Sequence, residues 1–274
     1  MTDAPLYAPP RIVTRAQDCD FYHTLELPGH GLVQGAWDLR GGLDRYLGHT
    51  RFAGKRVFDV GTATGCLTFY MEQQGAEVVS YDVCPGMSWD IVPYAGNDMD
   101  QIRRQVRLNV SRYNEGYWFC YRALKSKARM VYGSVYDIPE SIGPVDMAVC
   151  GSILLHLRDP FLALANACRL ARETVIVADM VPRRRFLPWL AARGLGTAGA
   201  GLLGKRMKLL PRAGDYPRRD CLWWELPPAL VCQLLGVLGF EDARVNFHTQ
   251  MFEGSRRLMF TVVARRTRPA AMAA

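Results

Sequence analysis

The sequence predicts an α/β domain built on a doubly wound, mostly parallel sheet, and three observations carry that prediction. First, a strand-like run at Lys55–Val60 is followed by a glycine-bearing turn, a helical stretch at Cys66–Gln74 stopped by Gly75, and a second run at Glu77–Tyr81. That order within one short segment is a βαβ unit. Second, apolar runs at Ala128–Tyr132, in VDMAVCGS after Gly143 and Pro144, and at Thr174–Asp179 alternate with a helical pattern at Pro160–Ala171. Third, a helix at Pro227–Leu238, stopped by Gly239, leads into two runs at Ala243–Phe247 and Arg257–Ala264 that close the sheet as an antiparallel addition.

The remaining elements follow in chain order. Residues 1–50 read as a tail and an N-terminal cap, with a helical pattern from Leu39 to Leu47. Residues 51–264 form the main domain, carrying insertions at 84–127 and 181–222, and residues 265–274 are a second tail. The first insertion begins with the aromatic, turn-like MSWDIVPYAG and holds a charged helix from Met99 to Phe119. It is longer than most connections between a strand and the next element, which places it over the sheet's C-terminal edge. No internal repeat is present.

With 274 residues, 49% of them apolar, the chain can fill a sizeable core. Its eight cysteines are scattered without a CxxC pair, which argues against a disulfide framework or a zinc knuckle and for a reduced, cytoplasmic protein. The N-terminus lacks the basic and apolar regions of a signal peptide, and no run has the length of a bilayer span. The five histidines are too dispersed to hold a metal. The formal net charge of +8 is concentrated between Val181 and Arg219, where ten Lys or Arg face the single acid Asp215.

The chemistry sits in VFDVGTATGCLTFYMEQQGAEVVSYDV. A dinucleotide site needs the spacing G-x-G-x-x-G, and DVGTATG does not provide it. Asp59 would also repel a diphosphate, whereas it suits a ligand carrying an ammonium or a sulfonium. Asp82, ending the second run, is placed to accept both hydroxyls of a ribose.

This segment resembles motif I and the acidic position of the Rossmann-like class I S-adenosylmethionine-dependent methyltransferases. The resemblance covers roughly Phe52 to Ala178 and includes YGSVYDIP, VDMAVCGSILLHLRDP and TVIVADM. It implies that Asp59, Gly61, Thr62 and Gly65 surround the methionine part of the donor. It further implies that Asp82, with Val83, holds the ribose, that Ser134, Val135 and Tyr136 lie by the adenine, and that Cys150 to Ser152 pass beneath the donor. HTLELPGHGLVQGAWDLR, CGSILLHLRDP and WWELPPALVCQLLGVLGF resemble the branch containing tRNA wobble-uridine carboxymethyltransferase-like proteins and related small-molecule methyltransferases. The tRNA-acting members carry a larger basic N-terminal region than the fifty or so residues found here, so the RNA assignment weakens.

On the acceptor side, His156 just beyond the fourth strand is the candidate base, against a structural reading in which it opens the next helix near Asp159. Trp89, Asp90 and Tyr94 in the first insertion would cover the donor or orient the acceptor, or form a local core. Tyr117 and Trp224 are further candidates for acceptor contact, with ordinary packing as the alternative. His23 and His30 read more readily as turn residues than as substrate groups. The basic stretch, which holds Phe186 and Trp189 among many leucines, reads first as a lid over an apolar acceptor, then as a peripheral contact with anionic lipid, then as an RNA surface. The expectation is methyl transfer from S-adenosyl-L-methionine to the oxygen or nitrogen of a small, partly apolar molecule. A tRNA-modifying enzyme and a non-catalytic binding protein are the alternatives, and the oligomeric state stays open.

Overall fold

A computed structural model describes residues 5–182, 199–215 and 221–269. Most of the basic stretch, including Phe186 and Trp189, lies outside the described residues, and so do its three readings.

Eight strands form the main sheet. In chain order, the elements are β1 (Leu25–Leu27), β2 (Gly31–Val33), β3 (Trp37–Asp38), α1 (Leu43–Tyr46), β4 (Arg56–Val60), α2 (Cys66–Gln73), β5 (Glu77–Asp82) and α3 (Met99–Ala123). They continue with β6 (Arg129–Tyr132), β7 (Val145–Gly151), α4 (Pro160–Leu170), β8 (Ala171–Met180), β9 (Lys208–Leu209), β10 (Trp224–Glu225), α5 (Pro228–Val237), β11 (Asp242–Phe252) and β12 (Ser255–Arg265). The sheet order is β3-β11-β12-β8-β7-β4-β5-β6. Strands β6, β5, β4, β7 and β8 run parallel, while β12, β11 and β3 add antiparallel. The chain winds outward from β4 in one direction and from β7 in the other, so the crevice for a ligand opens beyond the C-terminal ends of these two strands.

Alternation along the strands explains the two-faced core. Phe58, Val60, Val79, Cys150 and Val177 meet α4 and α5 on one face. Val57, Val78, Met147, Val149 and Ile176 meet α2 and Tyr46 of α1 on the other. The buried centres of the parallel strands are therefore near-continuous apolar runs, and acids stand at or next to the C-terminal ends of β4, β5 and β8.

Three expectations are refined. Among the described residues, the cap contains one short α-helix, Leu43–Tyr46, because Gly41 and Gly42 precede it and Gly48 and His49 end it with positive φ. The rest of the cap is a β1–β2 hairpin and β3, which pairs with β11 and so enters the main sheet. Within the first insertion, α3 is the crossover that joins β5 to β6; its N-terminus is capped by Asp98, which accepts the N–H groups of Asp100 and Gln101 at 3.0 Å. Among the described residues, no helix is long and apolar enough to cross a membrane.

The segment after β12 anchors the fold. Arg266 donates to the Cys168 carbonyl at 2.6 Å and to the Ala171 carbonyl at 2.7 and 3.0 Å, and its guanidinium lies over the Phe240 ring at 4.2 Å. These bonds satisfy carbonyls at the C-terminus of α4, where β8 follows at once and the chain has no room for a capping turn. Replacing Arg266 with Ala should destabilise the protein by about 2 kcal/mol, lowering Tm by about 4–8 °C. Lysine, lacking the planar fork, should not restore the loss; full rescue by Arg266→Lys in thermal unfolding would show that charge alone matters.

Candidate functional site

The crevice begins at the turn after β4. Gly61 and Gly65 adopt φ values of +77° and +84°, and each is closely packed. A Cβ on Gly61 would lie 2.5 Å from Ile153 Cδ1, and one on Gly65 would lie 2.4 Å from Phe69 Cε2. The N–H groups of Gly61 and Thr62 donate to the Tyr81 carbonyl at 2.8 and 3.2 Å, extending the β4–β5 ladder into the turn. Asp82 then ties the turn to the end of β5. Its Oδ2 accepts the Ala63 N–H at 2.6 Å, and its Oδ1 accepts the Val83 N–H at 2.8 Å. A carboxylate has about four acceptor sites, so capacity for a ligand's hydroxyls remains.

Asp59 is almost fully buried one residue before the end of β4. Its Oδ2 accepts the Thr68 hydroxyl at 2.6 Å. Thr68 Oγ1 lies 2.8 Å from both Thr62 Oγ1 and Ser80 Oγ, and the Tyr117 hydroxyl donates to Ser80 Oγ at 3.0 Å. Each hydroxyl has one hydrogen, so committing Thr68 to Asp59 requires Ser80 to donate to Thr68; Thr62 must do the same. The chain Tyr117–Ser80–Thr68 thus points every proton toward the carboxylate. The other oxygen, Asp59 Oδ1, is buried without a partner among the described residues. Burial pushes the Asp59 pKa up to about 6, against the lowering effect of the Thr68 hydrogen bond. Burial also raises Asp82 to about 6, opposed by the Ala63 and Val83 N–H groups, with the charge of Asp59 adding to the rise.

The rim continues on neighbouring strands. After β6, Ser134 accepts the Tyr81 hydroxyl on its carbonyl at 2.9 Å, and the Val135 carbonyl accepts the Asn166 side chain at 3.0 Å. These bonds hold the loop beside the crevice, where Ser134, Val135, Tyr136, Val83 and Gly61 are all half-buried. After β7, Ser152 takes a positive φ of 51° and donates its N–H to the Ala178 carbonyl at 2.7 Å. The backbone at Gly151 and Ser152 lies at the C-terminal end of β7, beside the β4 turn. The Cys150 side chain does not face the crevice, for it sits in the core with its thiol pushed up to about 12 by burial. Thr62 likewise faces inward, and its hydroxyl serves Thr68.

Several acceptor-side expectations are corrected. Tyr117 is fully buried and ends the hydroxyl chain to Asp59, so it is a support of the donor side. The Asp90 carboxylate is already engaged: Oδ2 accepts the Tyr136 hydroxyl and the Arg158 N–H, the latter at 2.6 Å. Together Asp90 and Tyr136 clasp the first insertion to the loop after β7, and burial raises the Tyr136 hydroxyl to about 12. Trp224 donates its indole N–H to the Arg158 carbonyl at 3.1 Å and packs on the main core. Trp89 joins Ile91, Val106 and Val110 in a small local core, yet its indole nitrogen is buried without a partner among the described residues. Tyr94 is half-buried in the same segment. His156 Nδ1 lies 2.8 Å from the Cys221 carbonyl. A carbonyl only accepts, so Nδ1 carries the proton and the lone pair is on Nε2. With Trp223 donating its N–H to the Leu155 carbonyl at 2.9 Å, this turn holds the 221–224 segment in place.

The sequence reading missed a polar group on the other side of β7. Tyr46 of α1 and Ser152 are joined hydroxyl to hydroxyl at 2.9 Å. Asp179, next to last in β8, is 3% exposed and accepts the Met180 N–H on Oδ1 at 2.7 Å. Its Oδ2 is buried without a partner among the described residues. Burial raises its pKa to about 7, and burial also raises the hydroxyls of Tyr22, to about 12, and of Tyr46, with the Asp179 charge adding a smaller part. The available signal was TVIVADM, in which an acid ends an apolar strand as Asp59 and Asp82 do.

The fold itself has known counterparts. The N-terminal domain of EvdMO1, crystallised in the presence of S-adenosylhomocysteine and D-fucose, superposes with a TM-score of 0.52 at 16% identity, over 89% of this chain and 90% of that one. The two share one fold. Magnesium protoporphyrin IX methyltransferase from Synechocystis PCC 6803, with bound S-adenosylhomocysteine, aligns at a TM-score of 0.48 and 14% identity over 84% of this chain and 82% of that one. The 1,6-didemethyltoxoflavin-N1-methyltransferase of Burkholderia thailandensis aligns at a TM-score of 0.48 and 15% identity, over 84% and 78% of the two chains. No protein-family model matches the sequence, and no curated protein does.

The raised pKa of Asp59 has a measurable consequence. Because the folded value of about 6 exceeds the ordinary 3.8, the folded state holds this proton more tightly than the unfolded chain. The destabilisation from an ionised Asp59 is therefore absent below about pH 4 and complete above about pH 6. Relative to the native protein, Asp59→Asn should gain about 3 kcal/mol of stability between those limits. Urea unfolding of both proteins across pH 4–7 measures this gain; a pH-independent difference would contradict the burial of a titrating carboxylate.

Proposed function

We propose that this chain binds S-adenosyl-L-methionine in the crevice beyond β4 and β5 and transfers its methyl group to a small molecule. The observation that carries the reading is the pair of acids ending adjacent strands, with Asp59 Oδ1 buried and unpartnered. A buried acceptor without a donor is unfavourable by about 1–3 kcal/mol and is relieved by a ligand that brings one. An ammonium supplies both donor and charge, as the amino group of S-adenosylmethionine does, whereas a diphosphate would be repelled. Asp82 would hold the ribose hydroxyls, Ser134, Val135 and Tyr136 would flank the adenine, and the Gly61–Gly65 turn would receive the methionine part. When bound, this donor supplies an electrophilic methyl on a sulfonium. The protein's own part is to hold it in line with an acceptor and to keep water out. Support also comes from EvdMO1, whose N-terminal domain shares the fold and was crystallised with the demethylated donor.

The small-molecule acceptor rests on the compact frame and on the apolar composition of 181–222. The resemblance to the wobble-uridine branch makes RNA the other acceptor class.

Label transfer from methyl-tritiated S-adenosylmethionine into a cell extract, split into RNA, lipid and metabolite fractions, tests the reading. Label should enter the metabolite fraction. Asp82→Ala should weaken S-adenosylhomocysteine binding about 10- to 100-fold through lost charged hydrogen bonds, and transfer should fall accordingly. Label confined to RNA would reverse the acceptor assignment. Donor binding without transfer to any fraction would indicate a non-catalytic protein.

A further inference from the structure

We propose that Asp179 is the catalytic base on the acceptor side and that the acceptor presents a hydroxyl to it; this rests on the methyl-transfer reading above. The carboxylate lies at the C-terminal end of β8, separated from β4 only by β7. In register, Asp59 stands beside Val149 and Val149 beside Ile176, so Asp179 lies three residues further toward the open edge than Asp59. Both acids thus stand at the C-terminal ends of strands that flank β7, where the Gly151–Ser152 turn follows. Each carries one partnered and one unpartnered buried oxygen, Oδ1 on Asp59 and Oδ2 on Asp179. Asp59 serves the cationic donor; the second orphan oxygen asks for a second hydrogen-bond donor.

The neighbours of Asp179 fit a neutral hydroxyl. Its charge reaches the uncharged hydroxyls of Tyr22 and Tyr46, and Tyr46 is bonded to Ser152 at the end of β7. Its influences are burial and the N–H groups of Met180 and Leu155, with no Lys or Arg among them. Among the described residues, no fixed cation therefore holds it permanently ionised, and a raised carboxylate can exchange a proton near neutral pH. In the reaction, the acceptor O–H bond breaks and its proton passes to Asp179 Oδ2. The oxygen's electron pair forms the new O–CH3 bond, and the S–CH3 bond breaks with its electrons returning to sulfur. Donor becomes S-adenosylhomocysteine, and Asp179 releases the proton to water when the product leaves. His156, whose Nδ1 is bonded to the Cys221 carbonyl, is the competing base that the test below separates from Asp179.

The test compares the native protein with Asp179→Asn and His156→Asn. S-adenosylhomocysteine affinity is measured by calorimetry, and initial rates of tritium transfer are measured with a metabolite extract. Asp179→Asn is expected to keep S-adenosylhomocysteine affinity within about threefold, which also shows that it folds, while transfer falls at least about 100-fold. The labelled product should carry a base-stable methyl ether. Transfer by Asp179→Asn within about threefold of native would overturn the proposal, as would an N-methylated product. A native protein that binds donor yet labels nothing would overturn it too, because no acceptor would be there to deprotonate. Failure of the native protein to bind S-adenosylhomocysteine at all would instead sink the underlying methyl-transfer reading.

Discussion

The C-terminal edge of this sheet is organised around one demand, that the Asp59 carboxylate stay buried at the end of β4. Burying an ionised carboxylate is strongly unfavourable unless hydrogen bonds or an opposite charge offset it. Here the offset within the protein is incomplete. Thr68 from α2 bonds one oxygen, with Thr62 from the turn and Ser80 from β5 behind it and Tyr117 from α3 at the far end. Four elements thus converge to orient three hydroxyls behind one, and the second oxygen still lacks a partner. The arrangement leaves a buried carboxylate only partly compensated, at the expense of stability, as functional sites often do.

That demand explains why apparently separate features belong together. The Gly61 turn is tight because the β4–β5 ladder continues into it through the Tyr81 carbonyl. Asp82 fixes the same turn through Ala63, so the two acids and the glycines form one rigid unit. On the far side of β7, the N-terminal segment contributes a strand to the sheet edge and sends Tyr46 to Ser152. The cap is therefore tied both to the sheet edge and to the turn after β7.

The sheet was largely legible in the sequence because its strands are buried on both faces and read as apolar runs bounded by glycine, proline or an acid. Asp59 and Asp82 were legible for the same reason, since an acid ending such a run contradicts its surroundings. Asp179 meets that criterion equally well, but ADM has no glycine turn after it to draw notice. The acceptor side was less readable. Whether Tyr117 faces a ligand or the core depends on how α3 is rotated against Phe69 of α2, which spacing along one helix does not decide. Asp90 and Trp224 looked free because their partners, Tyr136 and the Arg158 carbonyl, are more than forty positions away in the chain. The cap's helical pattern at Leu39–Leu47 yielded to its glycines, which leave room for a single turn.

The most direct test of the central role of Asp59 is the proton balance of S-adenosylhomocysteine binding, measured calorimetrically in buffers of different ionisation enthalpy. An ammonium placed against Asp59 must favour its ionised form and expel the proton that burial retains near its pKa of about 6. Native protein should release protons on binding at pH 6 and almost none at pH 8, and Asp59→Asn should lose most of the release. Binding without proton release at pH 6, or an equal release from Asp59→Asn, would contradict the account.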